Sequence, residues 1–143
     1  MQSQTLAIST PDMLTLSMCE RIWSAYRRDW NACDVDAILS GFASDAAVKY
    51  GDLDPIAGLD DIRRFLQARF ARMADYRVEK VFQCFAGNVA GGTFNAEWTD
   101  RPTGKRFHAR GAEFVTFRQG KCVDWICAVS PREVGAPPSL PIL

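Results

Sequence analysis

The 143-residue sequence has little of what metal and nucleophilic sites are made from. It contains one histidine, His108, so a histidine-rich metal centre is excluded. Its five cysteines are an odd number, form no C-x-x-C pair and fit no familiar zinc spacing. They read as small core hydrophobes kept reduced in the cytoplasm, and neither a metal nor a cofactor is expected. Charge of one sign is missing as well, because 17 basic and 17 acidic residues cancel. No global field therefore draws the chain to nucleic acid or to an anionic membrane, and the short basic run GKRFHAR reads as a solvated or interfacial edge. No apolar run approaches the roughly 18 residues of a membrane span, and the opening MQSQTLAISTPDM does not read as a signal peptide. Internal repeats and long linkers are also missing, so residues 1–143 are expected to form one domain, with a core over about 12–130.

What is present has two periods. STPDM supplies a Ser/Thr cap, Pro11 near the first helical position and Asp12 in the first turn. Leu16, Cys19, Trp23, Tyr26 and Trp30 then recur at three- and four-residue intervals, which predicts a helix ending near Asn31 with Tyr26 facing inward. Asp34 caps a shorter helix that buries Val35, Ile38, Leu39 and Phe42, and AAVKYGDLDP reads as a short strand entering a loop. A third helix is predicted over residues 59–74, with Ile62, Phe65, Leu66, Phe70 and Met73 on one side. Beyond it the period drops to two. YRVEKVFQCFA, VAGGTFNAEWT, KRFHARGAEFVTF and KCVDWICAVS are strand-like runs separated by the turn signals GN, DRPTG and RQG. Three helices followed by an antiparallel meander predict an α+β layer pair, with helices on one face of a curved sheet. The Pro-rich tail, residues 131–143, reads as an extended arm that either docks on a partner subunit or stays disordered.

The strand parity raises a chemical question. If Trp98 lies opposite Lys105, then Ala96 faces Phe107, Phe94 faces Ala109 and Gly92 faces Gly111, and both strands agree on the apolar side. Glu113 falls on that same side. In the last strand Val123, Trp125, Cys127 and Val129 form the inward set under a three-residue RQG loop, which brings Trp125 beside Glu113. Gly91, Gly92 and Gly111 hint at curvature and a cavity. A carboxyl among Phe, Val and Trp is expected to keep its proton and act as a hydrogen-bond donor. The plainer readings are that Glu113 pairs with Arg110 or Arg63, or that a bulge turns it to solvent.

The stretches WNACDVDAILSGFASDAAVKY, GLDDIRRFL, TGKRF and FRQGKCVDW resemble the nuclear transport factor 2-like superfamily. This is the cystatin-like α+β cone of ketosteroid isomerases, limonene epoxide hydrolase, scytalone dehydratase and SnoaL-like cyclases. YRVEK, GN, EWTD, GKRF and RGAEF are most similar to short uncharacterised bacterial members. The resemblance implies a cone with an apolar pocket and a convex side available for a homodimer. The helix-one tyrosine of the isomerases falls on Tyr26 and their protonated oxyanion acid on Glu113. Their aspartate base falls near Tyr50, with Asp52 two residues on. The acid and arginine of limonene epoxide hydrolase fall on Ala96, Phe94 and Cys127, and the final-strand acid of SnoaL-like cyclases is missing from ICAVS, so neither mechanism is expected.

The resulting expectation is a cofactor-independent isomerase or lyase that moves a proton on a small apolar carbonyl compound. Glu113 and Tyr26 would hold the oxyanion, Asp52 or Tyr50 would move the proton, and Trp30, Trp98, Trp125, Phe94 and Phe107 would line the pocket. Against this stand Tyr26 as a core tyrosine, Asp52 and Asp54 as turn residues, and the tryptophans as packing. Glu97 and Asp100 read as solvated or interfacial, and Asp29 as an ion pair with Arg27 or Arg28. Cys127 has no neighbour that would activate it. The rival is a noncatalytic module that binds a hydrophobic molecule or a partner. A hollow filled by Trp30, Trp98 and Trp125 would favour the module, and an open pocket where Glu113, Tyr26 and Asp52 converge would favour the enzyme.

Overall fold

The change of period along the sequence becomes a division into layers. A computed structural model describes residues 12–138. Three helices, α1 (Leu16–Asn31), α2 (Val35–Ser40) and α3 (Leu59–Arg72), lie against one face of a six-stranded sheet. The strands are β1 (Phe42–Tyr50), β2 (Ile56–Ala57), β3 (Met73–Ala86), β4 (Val89–Asp100), β5 (Arg106–Arg118) and β6 (Lys121–Glu133). Their order is β2-β1-β6-β5-β4-β3, antiparallel throughout except for the parallel β1–β6 pair. This is the expected α+β architecture, a cone closed on one side by helices.

Helix α1 begins later than STPDM suggests. Pro11 lies outside the described residues, and the N-cap is Thr15, whose hydroxyl accepts from the Met18 N–H. Asp12 instead accepts the Gln119 N–H, at 2.8 Å. Cys19, Trp23 and Trp30 are buried as their spacing requires, whereas Leu16, the first residue of the helix, is 54% exposed and the buried leucine at this end is Leu14, just before the N-cap. At the other end of α1 the Asn31 amide accepts the Val78 N–H at 2.9 Å and donates to the Val78 carbonyl at 2.8 Å. Arg27 also donates to the Lys80 carbonyl. These bonds satisfy part of the free edge of β3, an outer strand of the sheet, and pin it to the helix.

The Asp34 cap of α2 is as expected, with its side chain accepting from the Ala37 N–H. Phe42 is not on that helix. It opens β1, a strand longer than AAVKY, because the parallel partner β6 supplies ladder bonds well before Ala46. Helix α3 ends at Arg72, two residues short of the expected end, since Met73 already has extended dihedrals.

The hairpin β4–β5 keeps the expected parity but is displaced by two residues. Trp98 pairs with Phe107, Ala96 with Ala109, Phe94 with Gly111 and Gly92 with Glu113. Placing Trp98 opposite Lys105 would leave Arg101 and Pro102 as a two-residue turn, which needs either a positive φ that proline cannot adopt or a glycine in place of Arg101. The longer loop moves that demand to Gly104, at φ 69°. At the β5–β6 turn the two-residue loop Gln119–Gly120, with φ of 50° and 76°, replaces the expected three-residue loop. A bulge follows, so Cys122, Trp125 and Cys127 point inward and Val123 is only half-buried. The arm starts later too, because Pro131–Glu133 continue β6 opposite Ala109–Phe107, and residues 139–143 lie outside the described residues. The glycines do admit close approach, but aromatic rings use the space. A Cβ at Gly92 would come within 2.5 Å of the Trp23 indole nitrogen, and one at Gly111 would run into the Phe94 ring.

Candidate functional site

Glu113 is 2% exposed, on the inner face of β5 and opposite Cys127. Its cation is neither Arg110 nor Arg63. Lys80, on the inner face of β3 and itself 4% exposed, places Nζ 2.8 Å from Oε1 and 2.9 Å from Oε2. The Trp125 indole Nε1 donates to Oε2 at 3.2 Å. Glu113 is therefore the acceptor in three bonds, and the expected role as a protonated donor is corrected. Lys80 was legible, since Tyr76, Val78, Lys80 and Phe82 share one face of YRVEKVF. A lysine on a greasy strand face carries the same signal as the glutamate.

The pair is not saturated. An ammonium has three hydrogens, of which the carboxylate takes two. A carboxylate offers roughly four lone-pair positions, and three are used. One donor and one acceptor remain, a few ångströms apart, in a hollow with aromatic walls. Lys80 Nζ lies 4.8 Å from the centroid of Trp30 and 5.1 Å from that of Phe94, so the rings balance part of its charge.

The hollow has two lobes that share Trp30, Lys80, Glu113 and Trp125. The first is lined also by Tyr26 and Cys122 and holds about 20 Å³. The second, lined also by Tyr50, Tyr76 and Phe94, holds about 10 Å³. The larger has room for about one water. Trp30 and Trp125 meet edge to face at 5.4 Å, and Phe42 and Tyr50 also abut Trp125. Burial pushes the Tyr26 hydroxyl well above its usual pKa, with Cys122 and Glu113 adding to the effect. It does the same for Tyr50, against an opposing effect of Arg69. Both stay neutral hydroxyls. Burial also raises the Cys127 thiol to about 12, in keeping with an unactivated cysteine.

The residues expected to converge are only partly brought together. Glu113, Tyr26, Tyr50, Trp30, Trp125 and Phe94 border the hollow. Asp52 does not: it is exposed in the loop after β1 and faces an outer groove with Leu53 and Val129, because Gly51 at φ 58° turns the chain away from the sheet. Trp98 and Phe107 stack on each other at 5.7 Å in a separate groove. Asp100 is buried rather than solvated, paired with Arg72 at 2.5 Å; it shares the inward parity of Trp98. Glu97 is exposed and pairs with Arg106, and Asp29 pairs with Arg28.

Residues 23–125, more than half of the chain, match the SnoaL-like domain, and the chain belongs to that family. No curated protein matches it. Among solved structures it is similar to a putative polyketide cyclase from Xanthomonas campestris pv. campestris, at 19% identity and TM-score 0.71, covering 78% of this chain and 90% of that one. It is similar to the epoxide hydrolase/cyclase-like enzyme SalBIII of pyran ring formation in the polyether salinomycin, at 21% identity and TM-score 0.70, covering 80% and 92%. A third likeness is to a nuclear transport factor 2-like protein of unknown function from Burkholderia pseudomallei K96243, at 15% identity and TM-score 0.71, covering 80% and 92%. These likenesses show the nuclear transport factor 2-like cone.

Proposed function

We propose that this SnoaL-like chain is a small-molecule enzyme that moves a proton on a small, mostly apolar carbonyl compound, as an isomerase or lyase, with Lys80 and Glu113 as its reactive pair. The observation that supports it is the buried pair itself, with one donor and one acceptor still free. A buried ion pair is a poor way to stabilise a core, since apolar residues of similar volume often do as well or better. Titratable groups held together in a hollow are what acid–base chemistry uses. The Glu113 carboxylate would take the proton next to the carbonyl, and the spare Lys80 N–H would donate to the oxygen as it gains charge. Tyr26, bordering the same lobe, would supply a second donor. Asp52 has no part in this, and Tyr50 acts as a wall.

The hollow must open to admit such a compound, and the Trp30–Trp125 contact, which borders both lobes, is the one that would yield. The test is deuterium exchange of α-protons in D2O, followed by proton NMR on a panel of cyclohexanone, cyclohexenone and acetophenone. Wild-type protein and Asp52→Asn are expected to exchange at least one of them, and Glu113→Gln to lose that exchange at least a hundredfold. Exchange undiminished in Glu113→Gln, or none by the wild type, overturns the proposal.

A noncatalytic dimer module is the second reading. It is favoured by how little space the hollow leaves and by Asp52 lying outside it, and by Phe114 and Ile126, paired on the outer face of the sheet and 52% and 42% exposed, with Val81 at 40%. In that reading the outer faces of two copies pack together.

A further inference from the structure

A second concavity lies outside the hollow, between the last turn of α3 and the inner-face ends of β4 and β5. It is an open groove of about 290 Å³. Trp98 and Phe107, register partners on adjacent strands, form its floor as a nearly parallel stack, with 5.7 Å between centroids and 12° between planes. Arg69 and Arg72, one helical turn apart, form a wall.

The two arginines differ in what they hold. Arg72 is committed to the buried Asp100, through contacts of 2.5 and 3.4 Å. Arg69 makes no ion pair with any described carboxylate. Its guanidinium lies 4.5 Å from the centroid of Tyr50 and hydrogen-bonds that residue's side chain, while its Nε is buried away from the groove. A guanidinium cannot shed its charge, and this one lines the groove with no carboxylate to balance it. The local sum of Arg69, Arg72 and Asp100 is one positive charge.

We propose that this groove binds a small aromatic carboxylate, with the ring laid against the Trp98–Phe107 stack and the carboxylate accepting from the terminal N–H groups of Arg69. A planar carboxylate matches one guanidinium in charge and in its two parallel bonds. A phosphate dianion would need the second arginine, which Asp100 already occupies. The volume lies near the lower limit of small-molecule pockets, which suits a compact acid rather than a nucleotide. The site is independent of the proton transfer proposed for the hollow, and neither Lys80 nor Glu113 lines it.

The probes are 2-naphthoate and its neutral isostere 2-naphthamide, titrated by calorimetry into the full chain. The acid is expected to bind at least tenfold more tightly than the amide, and Arg69→Gln to erase that preference. NMR of the arginine Nε–H signals keeps the question open to test if the variant does not fold: in wild-type protein one signal should shift saturably with naphthoate and stay still with naphthamide. Equal affinity for acid and amide, undiminished naphthoate binding by folded Arg69→Gln, or no arginine signal that follows naphthoate overturns the assignment.

Discussion

Lys80 and Glu113 were drawn into the core by strand parity and are tolerable there only together. Removing one charge leaves the other buried without a partner, at a cost of about 3–5 kcal/mol. Lys80→Met and Glu113→Leu should each lower the stability read by urea denaturation by about that amount. The double variant should recover most of it, since two apolar side chains suit the surrounding rings. Additive losses in the double variant would contradict a coupled pair. Buried thiols give a separate signature. Cys122 and Cys127 are raised from 9.0 to about 12, chiefly by burial. Above pH 9 the unfolded chain releases these protons while the folded chain retains them. The stability they support is thus full below pH 9 and is lost between 9 and about 12, at no more than about 1.4 kcal/mol per pH unit for each thiol. Denaturation midpoints should fall across that window, and less steeply in Cys127→Ala; an identical slope would assign the decline to other groups.

At the level of elements, Lys80 is positioned by the way α1 grips the edge strand. Asn31→Leu removes both side-chain bonds to Val78 and leaves a backbone N–H and a carbonyl unpaired, which should cost roughly 1–3 kcal/mol. Hydrogen exchange should then be faster at Val78 than at Ala96 on the neighbouring strand; equal rates would show that the edge is held some other way. The order of elements was legible because the period of hydrophobicity changes from that of helices to that of strands, and the inward face of β4 and β5 was legible because a two-residue displacement preserves parity. The displacement itself was hidden, since it turns on Pro102 refusing a positive φ and on the bulge near Cys122. Glu113 was legible as an acid on an apolar face. Its acceptor role was not, because the partner comes from β3, two strands away in the sheet, and no local pattern couples the two. Asp52 misled for a related reason: alternation projects a side chain inward only while the strand lasts, and Gly51 ends it.

For the whole molecule, the cone presents a filled interior and an apolar exterior strip. If copies associate through the outer face, Phe114→Lys should convert a dimer into a monomer in sedimentation velocity, with the melting curve little changed; a species unaffected by the substitution would place any association elsewhere. None of the described helices is long and apolar enough to cross a membrane. The interior holds so little free space that binding and opening must be the same event, and Trp125 is a ring that both borders the two lobes and bonds to Glu113. Its indole N–H signal is consequently the most direct reporter. On titration of the ketone panel into 15N-labelled protein, that signal should shift saturably with at least one ketone, as the bond to Glu113 is exchanged for the ligand. If it stays fixed while every ketone is raised to saturation of its solubility, the Lys80–Glu113 hollow is not where a substrate binds.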